Sequence, residues 1–496
     1  MKLTDQDLEA IAQRIASDIR GGHRPVPFAP VQPVAGAAAG GSKAPPASAY
    51  AMQPGDMGVF QTVDEAVAAV RKAFPVFTNL PLDVRRRIIE SIKSTMRENS
   101  AQLAREAVDE TRYGRFEDKV AKNALAIEKS VGIEGLQATA FTGEHGLTLV
   151  EYAPYGVIGS ITPTTNPVAT LISNSICMLS AGNVVLFSVH PAARLVSIHT
   201  IVLLNKAIVA AGGPPNVVAC ILNPTTEAAG QIMHHPGIRV LAVTGGEGVV
   251  HAAMNAGKRA ICAGPGNPPV VVDETADIEN AAKSIVMGAS FDNNLICIEE
   301  KETVVVQSVA DQLIQAMLRN NAVLIPRDKI GAMEQVVFSK INGPRAKAVI
   351  NKKWIGKNAA DILAEIGISA PASTRLAICD VPNDHPLLWT EQMMPVMPIT
   401  RARDANTAID LALEMEEQCY HTACMHSRNI DNLSRMAKLC NCSIFVKNGP
   451  SLNGLGFGGE GYASFTIASP TGEGITTSVS FSRIRRCTLV DRLRIV

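Results

Sequence analysis

The stretch VIGSITPTTNPVATLISNSICMLSAGNVVLFSV, residues 157–189, changes its periodicity twice and decides the fold. VIGSIT is short, apolar and β-rich, as a strand buried on both faces must be. TPTTNP is turn chemistry, and Pro167 suits a first helical position, where no backbone N–H is needed. The apolar run to Ala181 then fits a buried helix, Gly182 stops it, and NVVLFSV returns to strand. Strand, helix and strand at these lengths make a parallel crossover.

The same alternation continues outward. NVVLFSV precedes PAARLVSIHTIVLLNKAIVAAG, VVACIL precedes TTEAAGQIMHH, and RVLAVTGG precedes GVVHAAMNAG. A second alternating block runs from PPVVVDE to about Phe445. Upstream, DEAVAAVRKAF and the stretch from Pro81 to about Gly132 carry helical periodicity, with a break near Tyr113-Gly114, and GLTLVEYAPYGVIGSITP supplies two extended segments. Two α/β domains with doubly wound parallel sheets are expected, with ligands at the carboxyl ends of strands.

The first residues differ in kind. Over 1–20, Leu8, Ile11, Ile15 and Ile19 form one helical stripe; Thr4 is placed to cap it and Gly21-Gly22 to stop it. Residues 21–54 are mostly Pro, Gly and Ala and read as a tether. Such a helix either packs on its own body or lays its apolar stripe into a groove on a partner.

Bulk composition excludes several classes. The 496 residues are 47% hydrophobic and 19% charged, and Lys plus Arg balances Asp plus Glu at 46 each. That is neither a disordered chain nor a basic nucleic-acid binder, and the runs Arg85-Arg86-Arg87 and Arg485-Arg486 read as solvated faces. Ten cysteines without regular spacing, and no secretory signal ahead of them, point to free thiols in a reducing compartment. Cys419, Cys424, Cys440 and Cys442 with His421 and His426 lack paired zinc-ligand spacing, so no metal is expected. No apolar run reads as reaching the roughly 18 to 20 residues of a membrane span.

Three segments carry candidate chemistry. Asn166 follows VIGSIT, and Gly245 and Gly246 follow VLAV. SFDNNLICIEEKE, residues 290–302, sets Cys297 in a polar, partly open turn just before a β-rich run, which suits a reactive thiol better than a core one. No G-x-G-x-x-G follows the first strand, and GLGFGGEG, residues 454–461, reads as a flexible loop with no strand before it.

APYGVIGSITPTTNP, VTGGEGVV and FDNNLICIEEKE, with HTACMHS and GGEGYASFTIASPTGEGITT further on, resemble the aldehyde dehydrogenase superfamily. The likeness covers nearly the whole chain and is nearest to the CoA-acylating branch, the propionaldehyde and acetaldehyde dehydrogenases of bacterial microcompartments. It implies an aldehyde dehydrogenase-like α/β fold: a nucleotide-binding domain over 55–262, a catalytic domain over 263–445, and a return to the cofactor domain over 446–496. A small β oligomerisation arm is implied at LTLVEYAP (near 140–153) and in C-terminal strands from about Thr476, with dimers or tetramers.

The resemblance puts the nucleophile at Cys297 and the oxyanion-hole amide at Asn166. It lays a nicotinamide cofactor along Thr162, Pro163 and Thr164, along Ser188, His190 and Pro191, and along Thr244, Gly245, Gly246 and Val249. Glu391 is implied to hold the nicotinamide ribose, and Met393 stands where typical members have an aromatic residue. His421 is a possible auxiliary group or a structural histidine. Two departures matter. The glutamate base of hydrolytic members falls at about Ala263, and Gly264, Pro265 and Gly266 cannot replace it. The lysine and glutamate that commonly bind the adenosine side fall at Ser188 and Pro191, leaving NAD versus NADP open.

The resemblance therefore implies oxidation of a short-chain aldehyde, with propionaldehyde favoured over acetaldehyde, to an acyl-CoA with NAD and coenzyme A. Residues 1–20 would bind microcompartment shell proteins, placing the enzyme in the lumen of a cytoplasmic microcompartment. A hydrolytic dehydrogenase and a non-catalytic shell-organising protein are the alternatives.

Overall fold

The computed structural model describes residues 56–493; the helix expected over 1–20 and the tether over 21–54 lie outside them. Val157–Ile161 and Val184–Ser188 are strands buried along their whole length, and every residue of the helix Pro167–Ser180 between them is buried. Such continuous burial explains the absence of any polar alternation, since crossover helices cover both faces of a parallel sheet. Each aliphatic side chain taken from water contributes about 1.5–3 kcal/mol.

Six parallel strands form the first sheet, in the order Val59–Phe60, Val218–Ile221, Val184–Ser188, Val157–Ile161, Val240–Thr244 and Arg259–Ala263. The chain runs outward from Val157–Ile161 through Val184–Ser188 to Val218–Ile221, next to the edge strand Val59–Phe60, then crosses to Val240–Thr244 on the other side of Val157–Ile161. That reversal opens a crevice between the carboxyl ends of these two neighbours.

Seven parallel strands form the second sheet: Ala322–Leu324, Leu376–Asp380, Val396–Ala402, Glu302–Val306, Pro269–Val272, Thr422–His426 and Ile444–Lys447. A third, antiparallel sheet joins Thr139–Gly143, Gly146–Pro154 and the single C-terminal strand Ser482–Val490, which leaves Phe141, Ile484 and Val490 exposed. Between the last two sheets the chain returns to the first: Thr471 Oγ1 accepts from Cys262 N at 3.0 Å, and Asn183 Nδ2 donates to Phe481 O at 2.8 Å.

Three expectations need correction. The stretch Pro191–Ala210 does have the length and mean hydropathy, 1.5, of a membrane span. It is instead 61% buried within the protein and bonded to the helix Leu82–Thr111, where Ser91 Oγ donates to Ala207 O at 2.9 Å. Of the arginine run, Arg85 is buried; its guanidinium donates to Ser180 O and Thr78 O, because the stripe of that helix faces the core at this position. GLGFGGEG does follow a strand, Ile444–Lys447, and begins inside the 3-10 turn Ser451–Leu455.

Candidate active site

Three loops leave neighbouring strands at the carboxyl edge of the first sheet. One carries Thr162, Pro163, Thr164 and Asn166; the next carries His190 and Pro191 after Ser188; the third carries Gly245 and Gly246 after Thr244, with Val249 in the helix Glu247–Met254. A Cβ on Gly245 would stand 2.7 Å from Val249 Cγ1, while one on Gly246 would meet nothing within 4 Å, so the turn is open on one side only. The Glu247–Met254 N-terminus at this crevice suits a pyrophosphate, because its N–H groups and dipole favour an anion. His190 spends Nδ1 on Ala192 N at 3.1 Å, and burial lowers its pKa. These residues fit a nicotinamide dinucleotide.

The other predicted residues collect elsewhere than the carboxyl-end rule suggests. Glu391 and Met393, Cys297, Gly266 and His421 lead into four adjacent strands at the amino edge of the second sheet. Phosphate binding favours helix N-termini beyond carboxyl ends, but a nucleophile needs only a rigid loop. Gly266 is the meeting point. A Cβ there would lie 3.0 Å from His421 Cγ and 3.2 Å from Cys297 O, and its backbone N–H works to hold the Glu391 carboxyl down. Ala263 is buried at the end of its strand, where its carbonyl accepts from Gly245 N at 3.2 Å. A methyl group therefore stands there, beside the cofactor turn.

The turn around Cys297 is polar but not open. Phe291 through Ile296 are all buried, and Cys297 alone is half-buried. Asp292, Asn293 and Asn294 have φ values of 44°, 59° and 66°, the left-handed region that Asp and Asn tolerate best. Their side chains then brace the loop. Asn294 Nδ2 donates to Ala289 O and Glu300 O, and Lys301 Nζ donates to Asn294 Oδ1 at 2.6 Å. Asn293 Nδ2 donates to Gly356 O, and Ile296 N to Glu299 Oε2. The amides that read as solvated turn residues are the internal scaffold of a closed loop.

Electrostatics follow from this burial. The Cys297 thiol is pushed up to about 12 by burial, with Glu391 and Glu299 adding and Lys301 opposing. Burial, with Lys301, holds His421 down at about 4; its Nδ1 contacts Thr422 Oγ1 at 2.9 Å and its Nε2 has no partner among the described residues. Burial also raises the Glu391 carboxyl, against the pull of Lys301 and Lys347. Met393 adopts φ 53°, a strained conformation for a residue without a local hydrogen-bonding side chain.

A second cluster escaped the sequence. The helix Phe116–Lys129 buries Lys119, Lys122, Asn123 and Ala126 on one stripe. Lys119 Nζ lies 3.0 Å from Asp292 Oδ2, Lys122 Nζ pairs with the same oxygen, and Lys122 Nζ also donates to Asn166 Oδ1 at 2.7 Å. Two lysines in phase with an apolar stripe were the available signal. Glu300 was missed as well: it accepts from Ser451 N at 2.8 Å and Ser451 Oγ at 2.7 Å, and burial lifts its carboxyl to about 7. All ten cysteines are free thiols, and among the described residues no three His, Cys, Asp or Glu side chains gather as metal ligands.

Known proteins are similar to this chain in sequence and fold. The model of the aldehyde dehydrogenase family matches residues 55–475. An acetylating acetaldehyde dehydrogenase of Salmonella typhimurium is 48% identical over 442 residues, covering 89% of this chain and 94% of that one. A propionaldehyde dehydrogenase of Rhodopseudomonas palustris, solved with bound CoA and an acylated cysteine, has a TM-score of 0.86 at 46% identity, covering 88% of this chain and 99% of that one. A propionaldehyde dehydrogenase from the fucose utilisation bacterial microcompartment of Clostridium phytofermentans has a TM-score of 0.86 at 42% identity, covering 89% and 100%. The chain belongs to the aldehyde dehydrogenase family, in its CoA-acylating branch.

Proposed function

We propose that this protein oxidises a short-chain aldehyde, propionaldehyde in the first place, and passes the acyl group from Cys297 to coenzyme A with reduction of NAD. One observation carries the reading: the turn beside the half-buried Cys297 is Ala263-Gly264-Pro265-Gly266, which offers no carboxylate to activate water.

The Cys297 thiolate attacks the aldehyde carbon, forming a C–S bond and placing charge on the former carbonyl oxygen. Asn166 Nδ2 and the Cys297 backbone N–H are the donors for that oxygen, each worth about 3–4 kcal/mol in the transition state. A bound nicotinamide supplies the hydride acceptor. Glu391, whose carboxyl lies within the influence of the Gly266 N–H, is assigned to the ribose hydroxyls, and Ser188, His190 and Pro191 to the adenosine end. Loss of hydride from the carbon leaves a thioester on Sγ. A thiol of pKa near 8.5 ionises far more readily than water near 15.7, so CoA discharges the thioester without a strong base and Cys297 leaves as thiolate. His421, neutral with Nε2 unpartnered, is assigned as a hydrogen-bond acceptor for the incoming thiol.

Two assignments concern assembly. The three-stranded sheet with exposed Phe141, Ile484 and Val490 is proposed as the oligomerisation arm, and residues 1–20 as the segment that docks on microcompartment shell proteins. The likeness to an enzyme of a fucose utilisation microcompartment supports a luminal location.

The test is turnover of propionaldehyde and NAD with and without CoA. With CoA, steady turnover is expected; without it, about one NADH per site. Undiminished multiple turnover without CoA would establish hydrolysis instead. Acetaldehyde and butyraldehyde run in parallel rank the chain length.

A further inference from the structure

We infer that Lys122 is a positioning residue that dictates which atom of the Asn166 amide faces the substrate oxygen, and that Asp292 ties this lysine to the nucleophile loop. The inference rests on the assignment of Asn166 as an oxyanion donor. A lysine ammonium has three donors and no acceptor. Here each proton has a destination: Asn166 Oδ1 at 2.7 Å, Thr165 O at 3.3 Å, and Asp292 Oδ2. Only the oxygen of the Asn166 amide can face such a group. Its Nδ2 is thereby turned away, with the Thr165 hydroxyl at 3.2 Å as its one described contact, and keeps a second N–H for a ligand.

Without the ammonium little would fix the amide, because the terminal torsion of asparagine is broad and nearly twofold. A reversed amide would present its own oxygen to the developing oxyanion, turning attraction into repulsion. Lys122 also spans two parts of the site. Asn166 stands just ahead of the helix Pro167–Ser180 beside the first sheet, whereas Asp292 lies five residues ahead of Cys297 in the left-handed run. Asp292 is itself fixed, since Oδ1 accepts from Arg115 N at 2.8 Å and Oδ2 lies 3.0 Å from Lys119 Nζ. Lys122, Asn166 and Asp292 are 2%, 6% and 0% exposed, so bulk water does not screen the chain of contacts. Lys119 shares Asp292 but has no described bond to Thr165 or Asn166.

The experiment measures kcat and KM for aldehyde oxidation in the full chain, carrying Lys122→Met, Lys122→Gln, Lys119→Met, Asn166→Ala, and Asn166→Ala combined with each Lys122 variant. Alkylation of Cys297 by iodoacetamide, which forms no oxyanion, reports site integrity. Asn166→Ala should lower kcat by about a hundredfold or more, and the Lys122 variants by about tenfold or more, with KM and alkylation changed by less than about threefold. In the Asn166→Ala background either Lys122 change should cost less than about threefold more, because the donor it orients is gone. Should one Lys122 variant fail to fold, the other is read by the same non-additivity. Full multiplication of the losses, an unchanged kcat in the Lys122 variants, or an equal loss in Lys119→Met would overturn the inference. An unchanged kcat in Asn166→Ala would instead sink the oxyanion assignment beneath it.

Discussion

Gly266 and His421 fill one space: a methyl group on the glycine would lie 3.0 Å from His421 Cγ, 3.1 Å from its Cβ and 3.2 Å from the Cys297 carbonyl oxygen. The imidazole occupies the volume into which any larger residue at 266 would project. Gly266→Ala should therefore shift His421 or the nucleophile loop by a few tenths of an ångström. A loss of about tenfold in kcat/KM is expected at near-normal thermal stability, since small misplacements in an active site are costly. Steady-state kinetics beside a melting curve check this; an unchanged kcat/KM would show that the contact carries no catalytic constraint.

Burial of the Cys297 thiol, with Glu391 and Glu299 nearby, holds it at about 12. Its thiolate fraction should climb about tenfold per pH unit across pH 7 to 9.5, and iodoacetamide inactivation with it, without a plateau. A plateau near pH 8.5 would mean an ordinary thiol. Glu391→Gln removes the largest charge opposing ionisation and should speed alkylation at fixed pH by several-fold.

Glu300 is raised from 4.5 to about 7 by burial, in spite of its two bonds from Ser451. Between these values the folded protein keeps a proton that the unfolded chain has released. The stability this gives is complete below about pH 4.5 and is lost as pH rises through 7. Glu300→Gln keeps an acceptor for Ser451 N but cannot ionise, so its unfolding free energy should fall less from pH 5 to 8 than that of wild type. The difference should be up to about 3 kcal/mol. Denaturant midpoints at four pH values measure it, and parallel curves for the two proteins would refute it.

Asp292 is the carboxylate between two buried ammoniums. Burial pushes its pKa up, yet Lys119 and Lys122 outweigh that and hold it below the usual range. Asp292→Asn strands both cations and should cost about 3–5 kcal/mol. Lys119, already lowered by burial to about 8, would titrate lower still without its partner. The unfolded lysine keeps its proton to higher pH, so the deficit should shrink as pH rises from 7 to 9. Urea unfolding at both values decides; a deficit constant with pH would show that Lys119 stays charged throughout.

Much of this was legible beforehand because the informative features are local. VIGSIT, NVVLFSV and the helices after them announce a parallel sheet by length and unbroken apolarity, and the structure has those elements in that order. Cys297 stands out because a thiol among amides and acids is an odd core residue. Lys119 and Lys122 did not, because a lysine on a helix reads as solvated unless its phase is checked against the buried stripe. Asn293 and Asn294 looked like turn residues in water; that they brace a closed loop depends on Gly356, Ala289 and Lys301, which reach them only after folding.

The amino-acid sequence alone determined two parallel sheets, a thiol set before one of them, and an asparagine at the carboxyl end of a strand in the other. Those facts are written in periods of a few residues, which any short window of chain expresses. Tertiary structure alone decided that Gly266 lies between Cys297, His421 and Glu391, and that one ammonium joins Asn166 to Asp292. The reason is distance along the chain. These partners are tens to hundreds of residues apart, and only packing of one sheet edge against the other sets which side chains lose water together and which charges must then neutralise one another.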